Sequence, residues 1–496
     1  MNRFSGCECD IRCDICLKIR LFYRLITNEV RCFNENWSKK KNNGKLYLIE
    51  EGNNGERSLK LSKFNHFFEV DDRKYFYNTR SGAIAEISED FFAVINAINE
   101  GDFDKANFSK ELIDNMFYAG AVVEDDYDEF MSLAYQNNKC KYREDRLIIA
   151  IFPTFECNCR CGYCYEKKQK GVISQKVKDG ILNFVKNKKN LKLLNIVWFG
   201  GEPLLYREHV FDLSDKLLNY CNEHDVAYSC SMVTNLTLLQ ASDVEKLKKY
   251  KIFNYQVTLD GPEDIHNKRR PEINETNSFK KIITNIKLLL SNGLRVDLRV
   301  NIDRSNIEHV PKLLEIIKSE IGHNKYLTLY PARVGNSDSN ICKSAKSNCI
   351  DNVDDWSDIT IDFFRQCIKL GLADSVCERI IPKSVIMSCS AEFANYFAVD
   401  PDGYLYKCSL IVGQKDKAFQ NVCDSPDMNV ASSNYLKWVV PSYTQFNKCN
   451  ECKLSPICMG GCRLLYCNTQ KKNPECAISI SELNKYLTNF IRFKLI

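Results

Sequence analysis

The chain is short of histidine, with 6 in 496 residues, and shorter still of tryptophan, with 4. Few imidazoles are on offer, so a large metal inventory would have to rest on other ligands. Excess charge of either sign is also missing: 69 Lys and Arg face 64 Asp and Glu, a net charge of +5. That balance calls for no polyanion, and no nucleic-acid partner is expected. Long apolar runs are absent as well. No stretch reaches the ~18 uncharged residues of a membrane span, so no membrane partner is expected. Met1 to Phe22 interleaves Arg3, Glu8, Asp10, Arg12, Asp14 and Lys18 with its apolar residues, which is not a secretory-signal pattern.

Cysteine is what the chain has in excess, with 25. Disulfides belong to oxidising compartments, whereas clustered cysteine inside the cell points to metal thiolates. A cytoplasmic, metal-binding protein is the expectation. The length allows about two to four domains, because single cores rarely grow past about 250–300 residues.

Five regions follow from the sequence. Residues 1–45 form a Cys-rich extension with Cys7, Cys9, Cys13, Cys16 and Cys32. Residues 46–140 read as a small α+β unit, with hairpin signals in Phe67–Tyr77, helices near Glu89–Asn99 and Ser109–Ala119, and a strand at Ala121–Val123. Residues 141–335 alternate short apolar runs with helical patterns. The strands are Leu147–Phe152, Asn195–Trp198, Tyr228–Val233, Tyr255–Leu259, Val296–Ile302 and Leu327–Tyr330. The fold class is therefore α/β, a parallel sheet or partial (β/α)6 TIM-like barrel whose chemistry sits at the C-terminal ends of its strands. Residues 336–388 form a linker or helical bridge, and residues 389–496 are organised by cysteine spacing and end in a helix.

The first strand runs into a loop with Cys157-x3-Cys161-x2-Cys164. Three thiolates on one tight loop can bind three irons of a cubane cluster and leave the fourth open to an exogenous ligand. This spacing arises by chance roughly 0.06 times in a chain of such cysteine content, so its position at a barrel strand end adds needed weight. A structural zinc would need a fourth soft ligand nearby. Cys159 reads as a bystander. The second strand ends in Gly200-Gly201-Glu202-Pro203, where glycines permit close approach and a carboxylate can hold an ammonium. Thr234-Asn235 ends the third strand and Thr258-Leu259-Asp260 the fourth; His266, Arg269 and Arg270 lie beyond, and Arg299 and Asn301 are on the fifth. Polar groups at successive strand ends suit a ligand site.

The second constellation is Cys389-x13-Gly403-x4-Cys408, then Cys449-x2-Cys452-x5-Cys458-x3-Cys462, then Cys476. Seven thiolates without a companion histidine exceed one zinc and suit two iron–sulfur clusters. Cys377, Cys423 and Cys467 are candidates for a further ligand, and so is no protein ligand at all. Cys9-x3-Cys13-x2-Cys16 repeats the first spacing but lacks a preceding apolar strand, and reads as a decoy, another metal site or an extension without function. Cys221, Cys230 and Cys367 read as ordinary core or surface residues.

Over residues 146–335 the sequence resembles the radical S-adenosylmethionine (SAM) superfamily, on the Cys157-x3-Cys161-x2-Cys164 loop, Tyr163 before its last cysteine, and Gly-Gly-Glu-Pro. The resemblance implies a [4Fe–4S] cluster on Cys157, Cys161 and Cys164. It also implies that Gly200, Gly201 and Glu202 contact the methionine amine of SAM, with Tyr163, Thr234, Asn235 and Thr258 around the cofactor. The reaction implied is reductive cleavage of SAM to a 5′-deoxyadenosyl radical. The C-terminal array resembles the SPASM module of auxiliary clusters, which implies Cys449, Cys452, Cys458 and Cys476 on an outer cluster and Cys389, Cys408 and Cys462 on an inner one. Residues 46–140 are similar to winged-helix-like leader-recognition domains of peptide maturases, which capture a peptide by strand addition; a packing domain that shields the barrel is the plain alternative.

Together these imply a peptide maturase of the sactipeptide or ranthipeptide kind. It would act on a ribosomally made precursor peptide by thioether cross-linking at cysteine, with a flavodoxin- or ferredoxin-type reductant. Anaerobic sulfatase-maturating enzymes share the architecture but place an Asp general base after the Gly-x4-Cys segment. Here Ser409 follows Cys408, and a hydroxyl alone is a poor base, so formylglycine formation is the runner-up. A non-catalytic metal scaffold is the third reading.

Overall fold

Six consecutive apolar segments pair in sequence order, as chains do when each strand returns through a helix laid on the sheet. In the computed structural model these strands are Arg146–Ile151, Leu193–Trp198, Ala227–Val233, Ile252–Thr258, Arg295–Ile302 and Leu327–Arg333, all parallel. The structure describes Leu25–Ile26 and residues 58–494, apart from 104–107, 167–168, 275–276, 335–347, 351–352, 373–379, 426, 428–430 and 470–475. Cys7, Cys9, Cys13, Cys16, Cys32 and Cys377 lie outside the described residues. All six residues of the first strand are buried. It is covered on both faces, which is why it reads as a continuous apolar run instead of an alternating one.

The helices between strands obey the 3.6-residue period. Gln175–Lys186 starts at Ser174, whose side chain accepts from Val177 N, and turns Val177, Ile181 and Phe184 into the core. Ser278–Ser291 buries Phe279, Ile282, Ile286 and Leu289 in the same way.

Among the described residues the sheet has nine strands, because the C-terminal region joins it. Tyr396–Val399 pairs in parallel with Arg146–Ile151, and the antiparallel segments Tyr404–Tyr406 and Gln420–Asn421 extend it. Asp400 turns the hairpin: its carboxylate accepts from Asp402 N at 3.0 Å, Tyr404 N at 2.9 Å and the Tyr406 hydroxyl at 2.9 Å.

The N-terminal unit places the hairpin Asn65–Val70 and Arg73–Asn78 beside Ile84–Glu86. Its turn residues Asp71 and Asp72 have φ of 49° and 63°, the left-handed pair that two-residue hairpins favour. The helices Glu89–Glu100 and Lys110–Tyr118 and the strand Val122–Glu124 lie where the periodicity placed them, and a third helix, Glu129–Lys141, follows. Val353–Lys369 packs against the terminal helix Ile480–Lys494. Among the described residues, no helix is long and apolar enough to cross a membrane.

Candidate functional site

The loop after the first strand is held against the second by two glycines. Gly201 N donates to Thr154 O at 3.1 Å and Glu202 N to Glu156 O at 2.9 Å. A Cβ on Gly201 would stand 2.1 Å from Glu156 O, and one on Gly200, whose φ is +100°, 2.5 Å from Thr154 O. No side chain fits there, so the pair lets the cysteine loop lie directly on the strand end.

Glu202 is fully buried. Its carboxylate accepts from Leu204 N at 3.0 Å, the Thr234 hydroxyl at 2.6 Å and Asn235 N at 2.7 Å. Burial, with the nearby Cys157 sulfur, pushes its pKa up to about 7 against those three hydrogen bonds. Asn235 in turn donates to Asn158 Oδ1 at 2.8 Å and to Cys157 Sγ at 3.7 Å. The structure thus gathers Gly200, Gly201, Glu202, Thr234 and Asn235 around the Cys157 end of the loop. Thr258 is buried at the end of the fourth strand, one strand beyond this set.

The other end of the loop is anchored by Tyr163. Its hydroxyl donates to Asp260 Oδ2 at 2.5 Å and accepts from Arg270 Nη1 at 2.6 Å and Asn301 Nδ2 at 3.0 Å. Arg269 stands 5.3 Å over the Tyr163 ring and pairs with Asp303 at 2.9 Å and Asp260 at 3.5 Å. Arg270 lies within electrostatic reach of Cys161, so a cation faces a sulfur that must ionise to bind iron. His266 is fully buried and accepts from Asp260 N at 3.2 Å. Burial, with the two arginines, keeps it neutral, its pKa well below the usual histidine value.

Cys157, Cys161 and Cys164 are half-buried, whereas Cys159 is buried. Asp260 Oδ1, His266 Nε2 and Arg270 Nε are buried with no hydrogen-bond partner. A soft triad at a strand end beside unspent polar groups fits an open-iron cluster with a polar ligand. The 18 described cysteines carry no disulfide. No three His, Cys, Asp or Glu side chains among the described residues converge as ligands of one ion; a cubane cluster takes its thiolates on separate irons.

The C-terminal cysteines fall into two neighbourhoods. Cys449, Cys452, Cys458 and Cys476 lie within one another's electrostatic field. The segments that carry Cys389 and Cys462 are clamped to each other: Ser388 Oγ donates to Gly461 O at 2.6 Å, and the buried Arg463 pairs with Glu392 at 3.2 Å. Lys407, beside Cys408, is buried and donates to Phe393 O at 2.6 Å and Tyr396 O at 2.8 Å. Burial drives its pKa well down, opposed by the field of Cys389. Cys467 lies in the field of Cys462, whereas Cys423 faces Lys176 in a groove along Gln175–Lys186. Ser409 shares a hydrogen bond of 2.8 Å with the Tyr396 hydroxyl. Sequence reading missed Asn158, Lys407 and Tyr396; the four-residue run Tyr396–Val399 before Asp400-Pro-Asp-Gly403 was the hairpin signal that could have found the last two.

Residues 151–317 match the radical SAM superfamily. The radical SAM cyclopropyl synthase TigE of Paramaledivibacter caminithermalis is 23% identical over 452 residues, which cover 82% of this chain and 90% of TigE. The cysteine-type anaerobic sulfatase-maturating enzyme of Clostridium novyi is 25% identical over 62% of this chain and 85% of its own length. Among solved structures, native anSMEcpe with bound AdoMet superposes with a TM-score of 0.52 at 20% identity, over 70% of this chain and 97% of that one. This last likeness establishes the fold.

Proposed function

We propose that this chain, a radical SAM enzyme by the domain in residues 151–317, modifies a ribosomally made peptide in the cytoplasm, by forming thioethers at peptide cysteines. One observation carries the reading. The Cys157, Cys161 and Cys164 loop is fastened at one end to Glu202 and Asn235, which Thr234 helps tie together, and at the other to Asp260, Arg270 and Asn301, so it cannot move independently of four strand ends.

Cys157, Cys161 and Cys164 would hold a [4Fe–4S] cluster, which when loaded with SAM supplies an electron and a carbon radical able to take hydrogen from a substrate. Gly200 and Gly201 keep the loop on the strand, and Glu202 fixes the third strand's end beneath it. Thr234, Asn235 and Thr258 border the space where SAM would lie. Tyr163, with Asp260 and Arg270 bonded to its hydroxyl, would close the other side and exclude water. Cys389, Cys408 and Cys462 would hold an inner cluster, and Cys449, Cys452, Cys458 and Cys476 an outer one, which would supply a site for electron exchange with a flavodoxin- or ferredoxin-type carrier. The N-terminal unit would serve as the leader-recognition domain.

Support for a peptide or protein substrate comes from the sulfatase-maturating relatives, and Ser409 in place of a carboxylate speaks against formylglycine. A second reading, ring closure between carbons of a peptide side chain, is favoured by TigE, which matches over 82% of this chain. Both remove two hydrogens per event, but only the thioether consumes a thiol.

Anaerobic reconstitution tests the core of this. The expected content is ~12 Fe per chain, with 5′-deoxyadenosine released on reduction and release abolished in Cys157→Ala. Release that survives in Cys157→Ala refutes it. Alkylation of the product peptide separates the two bond types, since a thioether leaves one fewer thiol to label.

A further inference from the structure

The N-terminal unit is packed against the loop that carries Cys449, Cys452 and Cys458, and covers it from two sides. On one side Phe64, Phe130 and Leu133 share a core with Tyr443, Phe446, Cys449 and Met459. Phe130 meets Tyr443 edge-on at 5.6 Å. On the other side Val70, Tyr75 and Tyr77 share a core with Leu454, Ile457 and Cys458 and with the terminal helix residues Leu483, Leu487 and Phe490.

Hydrogen bonds fix the register between the two. The Thr79 hydroxyl, fully buried, donates to Lys453 O, the residue after Cys452. Lys63 Nζ reaches Asn450 O at 3.5 Å, the residue after Cys449. Tyr77 donates to Pro382 O, and His66 Nε2 meets Asn484 Oδ1 at 2.6 Å. Two of these acceptors are main-chain carbonyls inside the Cys449–Cys458 loop. Both bonds are part-buried, and side-chain groups that satisfy main-chain acceptors fix a loop's path, because an acceptor left unmet inside a protein costs up to about 1–3 kcal/mol.

We infer that the N-terminal unit is the positioning element of the outer cysteine site: Thr79, with Phe64 behind it, holds Cys449, Cys452 and Cys458 at the spacing that a four-iron cluster needs. This rests on the proposed assignment of those cysteines with Cys476 to the outer cluster, and gives the unit a role whether or not it also binds a leader. Thr79 and Phe64 are positioning residues that act through the loop. Ligands held by a rigid surround gain affinity from what lies behind them.

The test compares reconstituted full-length Thr79→Val, Thr79→Ser and Cys449→Ala by iron content and by the electron paramagnetic resonance of the reduced clusters. Cys449→Ala should fall from ~12 Fe toward ~8. Thr79→Val removes the donor at nearly constant volume and should lose the same signal at least in part, with deoxyadenosine release within about twofold of wild type. Thr79→Ser keeps the hydroxyl and should restore it. Should Thr79→Val not fold, Phe64→Leu carries the same comparison. If Cys449→Ala loses its iron while Thr79→Val or Phe64→Leu keeps every cluster with an unshifted spectrum, the positioning role is wrong. If Cys449→Ala itself keeps ~12 Fe, the outer-cluster assignment falls and the inference with it.

Discussion

Lys141 shows how a single buried charge can be read. It is fully buried, donates to Pro441 O at 3.0 Å and lies 5.3 Å over the Tyr142 ring. Burial lowers its pKa from 10.5 to about 8, with Glu392 opposing the shift and Arg463 adding to it. The unfolded chain therefore holds this proton up to about pH 10.5 while the folded chain releases it near pH 8. Between those values the unfolded state binds more protons, so this group makes stability rise with pH; below about pH 8 both states are charged and the burial penalty is present in full. Lys141→Met removes the group. The stability difference between wild type and variant should move in favour of wild type by up to roughly 3 kcal/mol across that window. Urea unfolding at a series of pH values measures it, and a difference that stays constant with pH refutes the assignment. Nothing in the sequence marks Lys141, because its burial comes from packing against the distant segment around Pro441. The residues around Tyr163 are different: Asp260 and Asn301 at strand ends and Arg270 just beyond one are each visible in the sequence, but only the fold shows that all three meet one hydroxyl.

Among elements, the cysteine loop and the second strand act as one piece through Gly200 and Gly201. The sequence suggested that these glycines admit a ligand; the structure shows the loop's own backbone in the space a Cβ would take. Gly201→Ala must move Glu156, and with it Cys157, by more than an ångström, since a contact of 2.1 Å has no side-chain end to yield. Overpacking of this kind costs about 1–3 kcal/mol. A rate that depends on alignment suffers more. Deoxyadenosine release should drop at least ~100-fold while the fold, followed by circular dichroism, persists; near wild-type release would show that the loop relaxes freely. The six strands were legible because buried parallel strands leave short apolar runs between helical periods; the structure adds one to three residues at some ends and drops Phe152 and Leu259 from two others. The strand Tyr396–Val399 was not, because a four-residue run carries no period, and its partner lies some 250 residues earlier in the chain.

At the scale of the whole molecule, that strand decides whether the barrel and the cysteine-rich region are separable. Ile148, Ile149, Ala150 and Ile151 pair with Tyr396, Phe397, Ala398 and Val399, and Phe397 also packs on Phe184 of the first barrel helix, ring centres 5.3 Å apart. Without the C-terminal region the first strand would become an edge: six residues, all apolar except Arg146, with main-chain donors and acceptors open to another chain. Edges of that kind recruit further strands and aggregate. The barrel core would lose Phe397, Leu405 and Tyr406 at once, each fully buried, and burying one such side chain is worth about 1.5–3 kcal/mol. A chain ending at Met387 should therefore be insoluble or form large oligomers, even though it keeps the whole radical SAM match and Cys157, Cys161 and Cys164. The full chain should elute as a discrete species under the same conditions. Size-exclusion chromatography with light scattering distinguishes these outcomes. A monodisperse, soluble 1–387 fragment that still takes up ~4 Fe would show that the barrel folds alone, and that Tyr396–Val399 only docks on a finished sheet.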